Sequence, residues 1–200
     1  FAVQDHGFSP EKSNRVFRFE IMEAGLVQGD WQISALLHDP PLPEMSRMHA
    51  VRAQAPGALV IDTGPAAILG ALCDPVVQEH KESGIVLVNA GNGHTLCVSV
   101  KGEEIYGIFE HHTAALESKH LRALIRKLCD GTLTGQEIFD EGGHGAALHK
   151  SLHADWIAVT GPNRKALLPG AYQAAPFGDM MLTGCFGLLS AWERLRGTLP

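Results

Sequence analysis

The chain has 200 residues, enough for one domain or two small ones with a real core, and its 45% hydrophobic and 19% charged content is that of a globular protein. Sixteen basic against 22 acidic residues leave a net charge of -6 with no basic run, which argues against nucleic acid or an anionic membrane as a partner. Cys73, Cys97, Cys129 and Cys185 are too scattered for a zinc ribbon or iron–sulfur cluster, and no stretch reads as a signal peptide or membrane span, so the expectation is reduced thiols in a cytoplasmic protein.

Phe1–Val3 reads as a strand interior running into the polar loop Gln4-Asp5-His6-Gly7, so a natural N-terminal part is expected to precede it. Residues 15–38 read as partly helical, and "HDPPLPEMS" (38–46) as an irregular, proline-rich connection. "GALVID" (57–62) predicts a short strand. "GPAAILGAL" (64–72) predicts a helix with Pro65 in its first turn and small residues for close packing. "GIVLVN" (84–89) is continuously apolar, as in a strand buried on both faces, while "HTLCVSV" (94–100) alternates. A turn at Lys101-Gly102-Glu103 leads to the returning strand "EIYGIFE" (104–110), completing a three-stranded meander. Ala114–Cys129 carries an apolar stripe through Leu121, Leu124, Ile125 and Leu128 and stops at Asp130-Gly131. A flexible loop "DEGGHG" (140–145), a buried strand "WIAVTG" (156–161), a helix starting at 162–168 and a long helix over 178–196 with small residues at Gly184 and Gly187 complete the chain. This order is α/β, with a mixed sheet whose meander edge is antiparallel.

Four segments, in order, resemble the second half of the actin-like ATPase superfamily, which includes heat-shock chaperone ATPases, actin and sugar kinases. "IDTGPAAILGALCD" (61–74) is similar to its first connecting helix, "VLVNAGNGHTLCVSV" (86–100) to its second phosphate loop, "IAVTGPNRKAL" (157–167) to its adenosine motif and "GDMMLTGCFGLL" (178–189) to its closing helix. "QDHG", "DTGPAA", "GNGHT", "EHHT" and "GGHG" further resemble an uncharacterised prokaryotic family labelled as a pyruvate formate-lyase activating enzyme. A radical activating enzyme needs a CxxxCxxC motif, and the sequence has none. The resemblance implies a ribonuclease-H-like fold, with residues 1–56 as a remnant of the first lobe and connection and 57–200 as the second-lobe domain. It also implies ATP with magnesium as cofactor, an unknown small-molecule acceptor for an ATPase or kinase, and the missing N-terminal lobe of the same chain as a partner. The aspartate usual at the start of the second phosphate loop is Asn89 here, a neutral group that can bond a metal-bound water but cannot act as a base.

The residues themselves support more than one chemistry. Gly91, Asn92 and Gly93 can turn consecutive backbone N–H groups into a nest for phosphate, with His94 and the Thr95 hydroxyl beside it, or can simply make a hairpin turn. Asp62 ends a strand where α/β ligand sites lie, and can hold a magnesium-bound water or cap the next helix. Gly161 and Arg164 can flank a nucleoside, or Arg164 can be a solvated surface charge. Pairing across the 101–103 turn, with partner numbers summing to about 204, sets His94 opposite Phe109, Glu110 or His111. His94, Glu110, His111 and His112 should then gather beside the glycine loop, within reach of His144, with Asp5 and His6 at a further polar strand end. Such a set suits zinc, iron or manganese, or phosphate, or a network with no ligand. Asp62, Asn89 and Glu110 are the catalytic candidates. A nucleotide-binding ATPase or kinase half, a metal-dependent enzyme and a noncatalytic interaction module all remain open.

Overall fold

The N-terminal helices start where short polar side chains take up free amides. In the computed structural model, which describes residues 1–197, Ser13 accepts the Val16 amide at the head of α1 (Asn14–Gln28). The Asp5 carboxylate accepts the Arg47 and Met48 amides of α2 (Ser46–Gln54) at 2.8 and 3.0 Å. Asp62 caps α3 (Thr63–Ala71) through Gly64, and Asp74, followed by Pro75, caps α4 (Pro75–Lys81). The meander follows as β1 (Ile85–Ala90), β2 (His94–Lys101) and β3 (Glu104–His112). Next come α5 (Ser118–Asp130), closed by Gly131 in the left-handed region, then α6 (Gly135–Asp140) and β4 (Gly145–Leu148). The chain ends in β5 (Ile157–Thr160), the single turn α7 (Arg164–Leu167), the short β6 (Tyr172–Gln173) and α8 (Thr183–Leu195).

The six strands form one sheet in the order β4-β3-β2-β1-β5-β6. β2 is antiparallel to both β1 and β3, β5 is parallel to β1 and β6 to β5, so β1, β3, β5 and β6 run together. A meander continued on its β1 side by parallel strands is the ribonuclease-H-like, actin-like arrangement expected from the sequence. β4 adds an antiparallel edge outside β3.

Alternation along the strands builds two cores. Ile85, Leu87, Leu96, Val98 and Ile108 face α1, α3 and α8, meeting Phe19, Met22, Leu26, Ile68, Leu69 and Ala191. Val86, Val88, Cys97 and Phe109 face α5, meeting Leu121, Leu124, Ile125 and Leu128. At about 25 cal/mol per Å² of apolar surface, burial of both faces stabilises β1, in keeping with its uninterrupted apolar run. α1 thus shares a core with the meander. α3 and α8 touch backbone to backbone: a Cβ at Gly187 would lie 1.7 Å from the Ala66 carbonyl oxygen, and one at Gly70 would lie 1.8 Å from that of Thr183.

Several boundaries differ from expectation. The strands read at 1–3 and 57–62 make only a parallel bridge, Ala2 to Ile61, because neither joins the main sheet. The helix read from 178 begins at Thr183, after 3-10 turns at Pro176–Gly178 and Met180–Leu182. Gly187, and not Gly184, makes its close contact, since Gly184 lies one residue off the Thr183–Gly187–Ala191 stripe. The helix read from Ala114 starts at Ser118, preceded by a 3-10 turn at Thr113–Ala115. The flexible loop at 140–145 runs into β4, which the sequence did not signal, and α2, α4, α6 and β6 were likewise not foreseen. Among the described residues no helix is long and apolar enough to cross a membrane.

Candidate functional site

The carboxyl ends of β1, β3 and β5 lie at one edge of the sheet, where open α/β sheets hold their ligands. The antiparallel β2 and β4 begin at that edge, so His94 and His144 arrive there together with the end of β3. Three polar groupings meet at this edge.

The first is a buried ion bridge. Arg18 of α1 lies in the apolar stripe with Met22 and is 4% exposed. Its guanidinium donates to Asp62 at 2.7 and 3.1 Å, to Glu110 at 2.5 and 2.9 Å and to the Asp5 carbonyl at 2.6 Å. Burial works against the charge, but Asp62 and Glu110 outweigh it and hold the pKa of Arg18 well above its ordinary value. One guanidinium between two carboxylates leaves the group one negative charge in excess. Asp62, also the cap of α3, and Glu110 are thereby engaged by Arg18, which leaves less room for magnesium water on either carboxylate. Arg18 is the residue that sequence reasoning missed. Its signal was a charged side chain inside a helix's apolar stripe, four residues before Met22.

The second grouping is a pair of turns. Asn92 and Gly93 are exposed at the tip between β1 and β2, and the Gly91 amide donates to the His94 carbonyl at 3.0 Å. The turn after β5 braces this hairpin: the Asn163 amide donates to the Ala90 carbonyl at 3.0 Å and its side-chain Nδ2 to that of Gly91 at 2.9 Å. Gly161 has φ +94°, and a Cβ there would lie 2.5 Å from the Ala90 oxygen, so this approach needs glycine. Asn89 is half-buried on β1, its Oδ1 against Gly161. Arg164 folds back onto its own turn, donating to the Gly161 carbonyl at 3.1 Å. Thr95 does not reach the phosphate-loop surface: it is fully buried on the α5 face and bonded to the Thr113 hydroxyl at 2.9 Å, because alternation turns it away from His94.

The third grouping is a histidine cluster on the α1/α3 face. The ring centroids of His94 lie 4.8 Å from His112 and 4.7 Å from His144, and those of His112 and His144 are 4.9 Å apart. His6, from the loop before α1, joins at 5.5 Å from His94 and 5.3 Å from His144. The partner of His94 is His112, not Phe109, Glu110 or His111. The turn holds two residues, Gly102 and Glu103, and a bulge opposite Ser99–Val100 inserts Tyr106, so partner numbers sum to 206 at this end. Alternation then sends His111 to the opposite face, toward Glu141 and His120, out of the cluster. Burial is the main cause that lowers the pKa of His6, His94 and His144, for His144 down to about 2 with His94 and Arg18 adding to the effect. Burial thus disfavours the charged form of all three rings. A cavity of about 30 Å³ beside His6, Arg18 and Asp62 has room for little more than water.

Two solved structures are similar in part. One is the apo psk41 parM protein, at 11% identity and a TM-score of 0.38, with 70% of this chain and 50% of that chain covered. The other is an exopolyphosphatase-like protein, at 14% identity and a TM-score of 0.29, with 79% of this chain and 54% of that chain covered. The chain spans about half the length of each. No curated protein matches it. The family described as "Putative pyruvate format-lyase activating enzyme (DUF1786)" matches residues 1–166, and the chain belongs to that family.

Proposed function

We propose that the protein binds the phosphates of a nucleotide, ATP with magnesium, at the edge formed by the turns after β1 and β5. The observation that carries this reading is the brace between them. The Gly91–Gly93 hairpin and the Gly161–Asn163 turn, read separately as phosphate and nucleoside loops, are tied together by both bonds of Asn163. The exposed Asn92 and Gly93 would offer their amides to phosphate oxygens, and His94 would flank them. On this reading residues 1–56 are what the chain keeps of a first lobe, 57–200 are the second-lobe domain, and the lobe that the resemblance places upstream supplies the remaining phosphate donors. With its scattered cysteines kept as thiols, we place the protein in the cytoplasm. The acceptor of any phosphoryl transfer is an unknown small molecule. Asn89 offers no base, and Arg18 engages Asp62 and Glu110, which favours binding over hydrolysis.

Calorimetric titration with ATP and magnesium tests this. Each charge-assisted bond to phosphate contributes roughly 1.5–3 kcal/mol. A site lacking two or three of them should bind orders of magnitude more weakly, at about 1.4 kcal/mol per tenfold. The 200-residue chain is expected to bind ATP weakly and hydrolyse none, a chain including the upstream lobe to bind measurably, and Asn163→Ala to weaken that binding. Tight binding by the 200-residue chain, or none by the longer one, overturns the reading.

A further inference from the structure

We propose that His6, His94 and His144 form a site for one divalent transition-metal ion, held through their Nε2 atoms. The ligand atoms these three residues can offer all lie within 4.8 Å of one another. Each of the three Nε2 atoms is buried without a hydrogen-bond partner in the protein. Buried ring nitrogens are costly to leave unpaired, and a cation that takes one lone pair from each of these three residues would relieve all of them at once.

The other ring nitrogens settle which atom binds. The Gln4 side-chain amide lies against His94 Nδ1. The atom placed there is the amide nitrogen Nε2; holding a metal at His94 Nε2 requires the Gln4 amide to be flipped, so that its oxygen accepts the Nδ1 proton. His144 Nδ1 stands 3.7 Å from Glu110 Oε2, beyond hydrogen-bond distance but near enough for the carboxylate to favour a proton on Nδ1 and leave Nε2 as the base. Shortened into a hydrogen bond, this contact would be the carboxylate–histidine pairing by which proteins orient an imidazole toward a metal. Arg18 in turn grips Glu110, and the excess negative charge of the Arg18–Asp62–Glu110 group lies beside the rings, which favours a cation among them.

Imidazole nitrogens suit zinc, copper, iron and nickel, not magnesium or calcium, so this site is chemically distinct from a nucleotide's magnesium. At metal–nitrogen distances of about 2.0–2.1 Å, tetrahedral ligand atoms stand about 3.3 Å apart, so the cluster must contract on binding. His94 starts β2, His144 immediately precedes β4 with its amide on the Glu110 carbonyl, and His6 lies on a loop outside the sheet, so a side-chain shift of His6 is the smallest rearrangement that contracts the cluster. His112 flanks the site, but its ring nitrogens fall outside the converging set.

The test needs no activity and no nucleotide. The protein is stripped with a chelator and titrated with zinc against a competing chromophoric chelator. One zinc per chain is expected. His6→Ala, His94→Ala and His144→Ala should each weaken it by more than the roughly 10–100-fold that loss of an outer partner costs, while Gln4→Ala falls within that range. His112→Ala should retain one ion per chain, and His153→Ala, an exposed histidine on the loop before β5, should bind as the parent does. Melting of each stripped variant reports folding, and His6→Ala, on a surface loop, keeps the test open should His144→Ala fail to fold. Stoichiometry near zero, parental affinity in the His6 variant, or equal weakening by His153→Ala overturns the proposal.

Discussion

Replacing Arg18 with methionine removes a buried cation from between two carboxylates while nearly keeping the side chain's length. Five hydrogen bonds disappear: two to Asp62, two to Glu110 and one to the Asp5 carbonyl. Breaking a buried ion pair by removing one partner costs roughly 3–5 kcal/mol. Because two carboxylates are stranded here, the upper end applies, about 5 kcal/mol. For a domain of this size about 2–4 °C is lost per kcal/mol, so a fall of roughly 10–20 °C in Tm is expected. Thermal unfolding of the chelator-stripped protein measures the fall in Tm, and urea unfolding followed by circular dichroism and by the fluorescence of Trp31, Trp156 and Trp192 measures the free-energy loss. The triple variant Arg18→Met, Asp62→Asn, Glu110→Gln takes the stranded charges away, and the asparagine that replaces Asp62 can still cap α3. It should regain more than half of the loss. A single-variant loss under about 1 kcal/mol, the value of a surface pair, or a triple variant no more stable than the single one, would refute the claim that charge burial dominates this bridge.

Acid should destabilise the metal-free protein through His144. Its folded pKa, about 2, lies below the ordinary 6.5, so its contribution is complete above pH 6.5 and drains away as pH falls toward 2. The loss from this one residue is about 1.4 kcal/mol per pH unit; denaturant midpoints at pH 7.5, 6.5 and 5.5 should fall in that order, and His144→Asn should flatten the trend. Gly70→Val should abolish folding or expose core tryptophans at 25 °C, because even a Cβ would lie 1.8 Å from the Thr183 carbonyl oxygen and the α3–α8 contact cannot open without losing Ala66, Leu69 and Ala191 from the core. Gly184→Ala, facing open space, should leave Tm within a degree or two or raise it, since it replaces a helical glycine.

What the amino-acid order determined by itself was local. The unbroken run at 84–89 and the apolar segment at 156–160 are strands because burial on both faces demands such runs. The amphipathic stripe through Leu121, Leu124 and Leu128 places α5 on one face of the sheet, and Asp130-Gly131 ends it. The glycine hairpin and the gathering of polar side chains at the His94 end of the meander also followed from period and turn chemistry, which leave Asp62 open between a helix cap and a magnesium contact. Tertiary structure decided the rest, because the deciding contacts join distant segments. Arg18 reaches Glu110 across 92 residues and Asp62 across 44, and nothing in the text around Arg18 names those partners. His6 enters the cluster only because the chain before α1 is pinned alongside Ile61 by backbone bonds from Val3 and to Phe1. One bulged residue, Tyr106, moved the register enough to exchange His111 for His112, since each step along a strand turns the side chain to the opposite face. β4 is short and begins at glycine, so its strand character comes from pairing with β3, and that pairing carries His144 to the edge where His94 and His112 lie.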